Sequence, residues 1–266
     1  MTREQELMAM LQAFHLPSFV THYESFARQA EKERLDHVGY LYHLAKLEAE
    51  DRTRRRTERL LREAHLPRGK RLDDFELSRI PTLSPTVVAR LAEGTILDAC
   101  ENVLIFGNPG TGKSHLAMAL AREWCLRGRR VRYTTASALV QELLAAKRDL
   151  ALNALLRKLD RFEALVIDDL SYIPQDRSET DVLFVLLAER YEQRSVVVTS
   201  NLVFSDWGQI FKDPMTTTAA IDRLVHHATI LELNAESYRM TQARKKRADR
   251  KDDDDQAAGG VVVRRP

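Results

Sequence analysis

Apolar positions through the first 65 or so residues recur every three or four places. Leu7, Leu11 and Phe14 fall on one helical face, and Phe19, Tyr23, Phe26 and Ala30 fall on another. Pro17 stands between these stretches and fits a helix start. Leu41, Leu44 and Leu47 mark a third helix that runs on into the polar stretch "EDRTRRRTERLLREAHL". The pattern predicts a small all-α domain over residues 1–66. "PRGKRLDDFELSRIPTLS", residues 67–84, carries the Pro and Gly punctuation of a linker.

After Ser84 the periodicity changes. "SPTVVARLAEG" offers an N-cap Ser, a Pro at the first helical position and a terminal Gly. Short apolar runs then alternate with helical ones. The strand candidates are Val103–Phe106, Val131–Thr134, Ala164–Asp168, Val196–Thr199 and Thr229–Leu233. Strands separated by helices imply βαβ units, so residues 85–240 are expected to form an α/β domain with a central parallel sheet flanked by helices. Residues 241–266, basic at first and ending in "RKDDDDQAAGGVVVRRP", have the composition of a disordered tail.

Composition narrows the class without naming a function. The 266 residues, 44% hydrophobic and 30% charged, describe an ordinary globular chain. No apolar run approaches the ~20 residues that span a bilayer, and the acidic start "MTREQELMAM" has no secretory apolar core. A cytoplasmic protein with no membrane partner is expected. Cys100 and Cys125 lack metal-type spacing and read as two buried thiols.

The net charge of +2 conceals two basic blocks. Nine Arg or Lys between Arg52 and Arg71 face only Glu58 and Glu63, and seven between Arg239 and Lys251 face only Asp249. Such blocks suit a polyanion, and a solvated helix face equally. Arg52, Arg54, Arg55, Arg56, Arg59 and Arg62 are the candidate contacts of the first block, made to a polyanion's phosphates.

"FGNPGTGKSH" lies between an apolar run and a helical one. Gly107, Gly110, Gly112, Lys113 and Ser114 satisfy the G-x-x-x-x-G-K-[ST] pattern, and Asn108, Pro109, Thr111 and His115 complete the candidate ATP-binding stretch. The glycines let backbone N–H groups turn inward around phosphate oxygens, and the positive end of the following helix points at the same anions. Lys113 would reach the β- and γ-phosphates, and the Ser114 hydroxyl can ligate Mg²⁺.

"ALVIDDLSYIP" ends a strand in Asp168 and Asp169, which places one carboxylate near the Mg²⁺ shell and a second where it can polarise an attacking water. Asn201 follows the strand of "SVVVTSNLVF", where its amide could orient that water; a turn-forming Asn explains it as well. Arg223 sits on a helix before the last strand and alone reads as a surface residue. His226 and His227 have no metal-type companions nearby in sequence and read as structural.

Taken in order, "GNPGTGKSHLAMAL", "LVIDDLSYIP", "TSNLVFSDW", "AAIDRLVHHATIL" and "ESYRM" resemble the AAA+ ATPases of the IstB/DnaC type, and in particular the IstB-like transposition helper ATPases. The resemblance covers about residues 5 to 245. It implies an AAA+ P-loop NTPase preceded by a helical domain that binds DNA or a partner. It also implies ATP and Mg²⁺ as cofactors, and an oligomeric ring or spiral on duplex DNA with ATP at subunit interfaces. A cognate transposase is the implied partner. By this resemblance Asp168 is the Walker B acid, Asn201 the sensor-1 residue and Arg223 the arginine finger offered to a neighbour. Arg239 falls at the sensor-2 position. Asp169 stands where most AAA+ proteins have a water-activating Glu, a departure that fits the IstB type. A DnaC-like replicative helicase loader would share the motor residues. A small-molecule P-loop kinase would need an acceptor pocket and an Arg-bearing lid, which the sequence does not display.

Overall fold

Apolar, β-branched runs of five or six residues bounded by loops form strands when helices cover both faces of the sheet. In the computed structural model, which describes residues 2–172, 177–210, 213–235, 237 and 238, five such runs do so. They are β1 (Asn102–Phe106), β2 (Val131–Thr135), β3 (Ala164–Asp168), β4 (Ser195–Ser200) and β5 (Ala228–Glu232). The sheet order is β2-β3-β4-β1-β5, with every pairing parallel. β1, β3 and β4 are buried along their whole length, whereas the edge strands β2 and β5 are partly open. The expected boundaries hold to within one or two residues.

Helices make the crossovers: α5 (Lys113–Leu126) after β1, α6 (Ala136–Arg148) and α7 (Leu152–Leu159) after β2, α8 (Arg177–Arg190) after β3, and α9 (Pro214–Val225) after β4. Before the sheet, α4 (Pro85–Glu93) starts on Pro85 and ends at Gly94 in the left-handed region, as expected, although the Ser84 hydroxyl makes no capping hydrogen bond. Leu104, Leu139, Ile167, Leu183, Val198 and Trp207 belong to one buried cluster between sheet and helices. Arg190 lies within this core, 1% exposed. Its guanidinium donates to the carbonyls of Leu159, Phe162 and Ser195, each at 3.0 Å, while burial pushes its pKa down to about 10. Of the two thiols, Cys125 is buried and pushed up to about 12 by that burial. Cys100 is half-exposed instead, because it occupies a left-handed turn and its Sγ reaches out to the Gln193 carbonyl at 3.2 Å.

The chain divides into two compact units, Met1–Leu60 and Leu61–Pro266, each described by itself. The first unit is helical: α1 (Arg3–Ala13), α2 (Pro17–Glu33) and most of α3 (His37–Glu63). A capping box closes the start of α1, with Thr2 Oγ1 accepting from the Gln5 N–H and Gln5 Oε1 accepting from the Thr2 N–H. Leu16, at the N-cap of α2, has no side chain able to do the same. Glu48 of α3 does it instead, accepting from the Ser18 N–H at 2.9 Å, and Ser18 Oγ donates to Asp51 at 2.9 Å. Carboxylates thus sit at the positive end of α2. Leu7, Leu11 and Phe14 share a face, yet no residue of α1 is buried.

Candidate nucleotide-binding site

Parallel pairing of β3, β4 and β1 puts their carboxyl-terminal ends side by side, Ile167 opposite Val198 and Phe106 opposite Ser200. The loop after β1, the acids after β3 and the asparagine after β4 are therefore neighbours although 55 to 95 or so residues of chain separate them. Crevices at this edge of an open parallel sheet are the usual ligand sites of such folds.

The loop after β1 is shaped by close packing. Gly107 and Gly110 have φ of 149° and 84°, which favour glycine. A Cβ on Gly107 would lie 2.5 Å from the Leu233 carbonyl oxygen, and one on Gly110 would lie 2.2 Å from Ser237 Oγ. The segment after β5 holds the loop from this side, with the Leu233 N–H donating to Phe106 O at 2.8 Å and the Tyr238 N–H donating to Gly110 O at 2.9 Å. Lys113, at the first position of α5, is 6% exposed. Its ammonium donates to the carbonyls of Gly107 and Asn108 at 2.7 and 3.0 Å. Ser114 follows on the first helical turn, whose N–H groups have no intrahelical acceptor.

Asp168 is 4% exposed and held by hydroxyls from both flanking strands. Tyr133 of β2 donates to Oδ2 at 2.7 Å, and Thr199 of β4 donates to Oδ1 at 2.5 Å. Burial, and then the bond to this carboxylate, raise the Tyr133 phenol well above the ordinary tyrosine range, so it remains a donor. Asp169 sits at φ 58°, and its N–H donates to Thr199 Oγ1 at 2.9 Å. One threonine thus fixes both acids, and the left-handed turn sends Asp169 into the cleft while Asp168 stays with the strand. Asn201 is anchored through its N–H to Ser171 Oγ at 3.1 Å. Its Oδ1 is buried with no hydrogen-bond partner, an arrangement that costs ~1–3 kcal/mol unless something at the site satisfies it.

A cleft of about 810 Å³ opens here. Pro109 through His115, Asp169 and Asn201 line it together with Phe75, Arg79 and Tyr238. The Arg79 guanidinium stacks over the Tyr238 ring at 4.9 Å, and Phe75 meets His115 edge-on at 5.4 Å. His115 also contacts the Arg71 carbonyl at 2.9 Å. The volume suits a ligand of nucleotide size. The glycine cradle, the buried ammonium, the hydroxyl–carboxylate pair Ser114 and Asp168 and the orphaned Asn201 oxygen all fit a phosphate-bearing ligand with a hard divalent cation.

Sequence reasoning brought together Gly107 through His115, Asp168, Asp169 and Asn201, and the fold assembles them. It missed Tyr133 and Thr199; the available signal was a polar residue near the end of each strand flanking the acidic one. It also missed the wall formed by Phe75, Arg79 and Tyr238, for which no pattern was available. Arg223 lies elsewhere, on α9, with its guanidinium 4.8 Å over the Phe184 ring and donating to the Ala219 carbonyl at 3.0 Å. Arg239 lies outside the described residues.

The six candidate DNA-contacting arginines are all exposed on α3. Arg52 and Arg55 nonetheless pair with buried Glu48 at 2.8 and 3.2 Å, and Arg54 pairs with Asp51 at 2.7 Å. Burial raises the Glu48 pKa, but the Arg52 bond and the Ser18 bonds outweigh it and hold the carboxyl below its ordinary value.

The chain is similar to known proteins. Residues 9–246 fit the model of the IstB-like ATP binding protein family. An insertion-sequence ATP-binding protein of Sinorhizobium fredii is 45% identical over 241 residues, covering 90% of this chain and 81% of that protein. The corresponding IS21 protein of Pseudomonas aeruginosa is 36% identical over 240 residues, covering 90% and 91%. Among solved structures, AMPPCP-bound DnaA from Aquifex aeolicus superposes with a TM-score of 0.55 at 19% identity, over 70% of this chain and 56% of that one. DnaI does so with a TM-score of 0.53 at 21% identity, over 64% and 95%. At such identities the two structures share the fold alone, an AAA+ core. With a family match across most of its length and a relative at 45% identity, the chain belongs to the IstB-like ATP-binding protein family.

Proposed function

We propose that the protein is an ATPase that oligomerises on duplex DNA and assists the transposase of an insertion sequence, working in the cytoplasm. The observation that carries this reading is the cleft itself, where the glycine-rich loop, Lys113, Asp169 and an unsatisfied amide oxygen converge.

In this reading the N–H groups of the 107–112 loop and the first turn of α5 hold the phosphates. Lys113 exchanges its two carbonyl partners for phosphate oxygens. Ser114 and Asp168 hold Mg²⁺, which supplies charge neutralisation at the β- and γ-phosphates. Tyr133 and Thr199 keep Asp168 oriented and ionised. The Asp169 carboxylate accepts a proton from the attacking water, which Asn201 Oδ1 positions by accepting a hydrogen bond. Arg223 completes the site of a neighbouring subunit, so that assembly responds to the γ-phosphate. Arg239 would serve as sensor 2. Residues 1–66 act as the DNA- or partner-binding domain, 67–84 as linker and 85–240 as motor.

Measuring ATP turnover with and without duplex DNA, alongside electron microscopy with a non-hydrolysable ATP analogue, tests the reading. DNA-stimulated turnover and multi-subunit particles on the duplex are expected. A protein that hydrolyses ATP as a monomer, indifferent to DNA, would refute it. Stimulation of the transposase encoded beside it separates a transposition helper from a helicase loader.

A further inference from the structure

The turn between α8 and β4 and the turn between α9 and β5 meet at the amino-terminal ends of the strands, opposite the cleft. The first turn carries Glu192, and the second carries His226 and His227. One potential ligand atom from each residue lies within 4.8 Å of the other two. Glu192 Oε1 is 3.7 Å from His226 Nδ1 and 3.7 Å from His227 Nε2, and the imidazole centroids are 4.1 Å apart. In sequence the acid is 34 positions from His226, so the two histidines read there as having no companion.

Both turns are held by backbone bonds rather than by the cluster itself. Asn102, at the start of β1, ties them together: its N–H donates to His227 O at 2.7 Å, and its Oδ1 accepts from the Val196 N–H at 2.9 Å. The Gln193 and Arg194 N–H groups both bond Arg190 O at 3.0 Å, and Arg190 is locked in the core. Glu192 takes a left-handed conformation, φ 56°, within that turn. The Tyr191 hydroxyl contacts His226 Nδ1 at 2.8 Å, and the Glu192 carboxylate adds to the upward shift that burial begins on this phenol. That bond occupies the nitrogen nearest Glu192, so a metal held there displaces the hydroxyl from Nδ1.

We propose that Glu192, His226 and His227 form a surface site for a borderline divalent transition metal, with Zn²⁺ the best fit, completed by water. Two imidazoles and one carboxylate with an open position match the Zn²⁺ preference for N and O donors. Donors ~2.0–2.1 Å from a tetrahedral Zn²⁺ lie about 3.3 Å apart. The two 3.7 Å separations, and a third within 4.8 Å, close to that spacing by rotation of side chains that are half-exposed. The metal would staple the end of α9, three residues beyond Arg223, to the α8–β4 turn.

The test uses tag-free full-length protein titrated with Zn²⁺ by calorimetry and with Co²⁺ by visible absorption. About one metal per chain and a four-coordinate Co²⁺ spectrum are expected. Glu192→Gln, His226→Asn and His227→Gln should each weaken binding at least about tenfold. Zn²⁺ should raise the thermal midpoint of the parent but not of these variants. Cys100→Ser should bind as the parent does, since its thiol is not one of the donors. Absence of binding by the parent, binding unchanged in all three variants, or loss of binding in Cys100→Ser would each overturn the assignment.

Discussion

The two compact units keep their charges in opposite places. In residues 61–266 the decisive charges are inside: Lys113, Asp168 and Arg190 are 6%, 4% and 1% exposed. In residues 1–60 Glu48 is the buried charge among the described residues, and the arginines of α3 stand in solvent. Their apolar content differs in the same sense. The larger unit wraps a continuous core around its sheet, whereas among the described residues of the smaller one only Ala30, Leu44 and Leu60 are buried hydrophobics. Phosphate chemistry needs a dry, preorganised setting in which each hydrogen bond counts fully. A polyanion's backbone needs only exposed cations. One chain holds buried charges and exposed ones, and each set can be attacked separately.

The largest effect expected is on the shared site. Arg223→Ala leaves a sound cleft that cannot serve its neighbour, and Lys113→Ala leaves an intact arginine beside a dead cleft. Each alone should lose most ATP turnover, by as much as ~10³–10⁵-fold for the arginine. Mixed, the two variants should recover part of the rate, because some intact clefts then meet an intact Arg223. Co-assembled mixtures with no more activity than their components would mean that Arg223 acts within its own subunit or not at all.

The next effect concerns stability of the larger unit. Arg190→Ala removes donors from two buried carbonyls and one part-buried carbonyl and should cost about 3 kcal/mol or more. Calorimetry should show the thermal midpoint falling by roughly 6 °C or more. Arg62→Ala, exposed on α3, should leave the midpoint nearly unchanged. Equal falls would erase the contrast between inside and outside charges.

A smaller effect should appear in DNA affinity. The probe is the combination Arg56→Gln, Arg59→Gln and Arg62→Gln, three exposed arginines of α3. Binding to unrelated duplexes should weaken uniformly. The slope of log affinity against log salt should flatten by roughly 0.9 for each phosphate that the variant no longer neutralises. An unaltered slope would make this face of α3 a solvated surface or a protein-binding one.

The smallest effect is a pH dependence in the helical unit. Glu48 has a folded pKa below its ordinary 4.5, so its contribution is fully present above that value and is lost as pH falls through the lower folded one. Helical signal from residues 1–60 should therefore weaken in acid below about pH 4.5, and Glu48→Gln should remove that dependence. A variant with the parent's acid profile would dissociate Glu48 from the effect.

Local pattern was enough for much of the molecule. Five strands, the helices between them, the loop at 107–112 and the acids at 168 and 169 follow from runs of apolar residues, glycines at fixed offsets and polar residues at strand ends. Each of these is a property of consecutive residues, because period and backbone freedom act over a few positions. Tertiary structure decided whatever depends on residues far apart. It set Tyr133 and Thr199 on Asp168, made a cleft wall of Phe75, Arg79 and Tyr238, and left α1 without a buried residue although its apolar positions share a face. It also capped α2 with Glu48 from another helix and brought Glu192 to His226 and His227. The physical reason is common to all of these. A side-chain hydrogen bond or a buried face is fixed by which strands pair and which helices cross, and that arrangement is specified by the packing of the whole unit rather than by any one stretch of it.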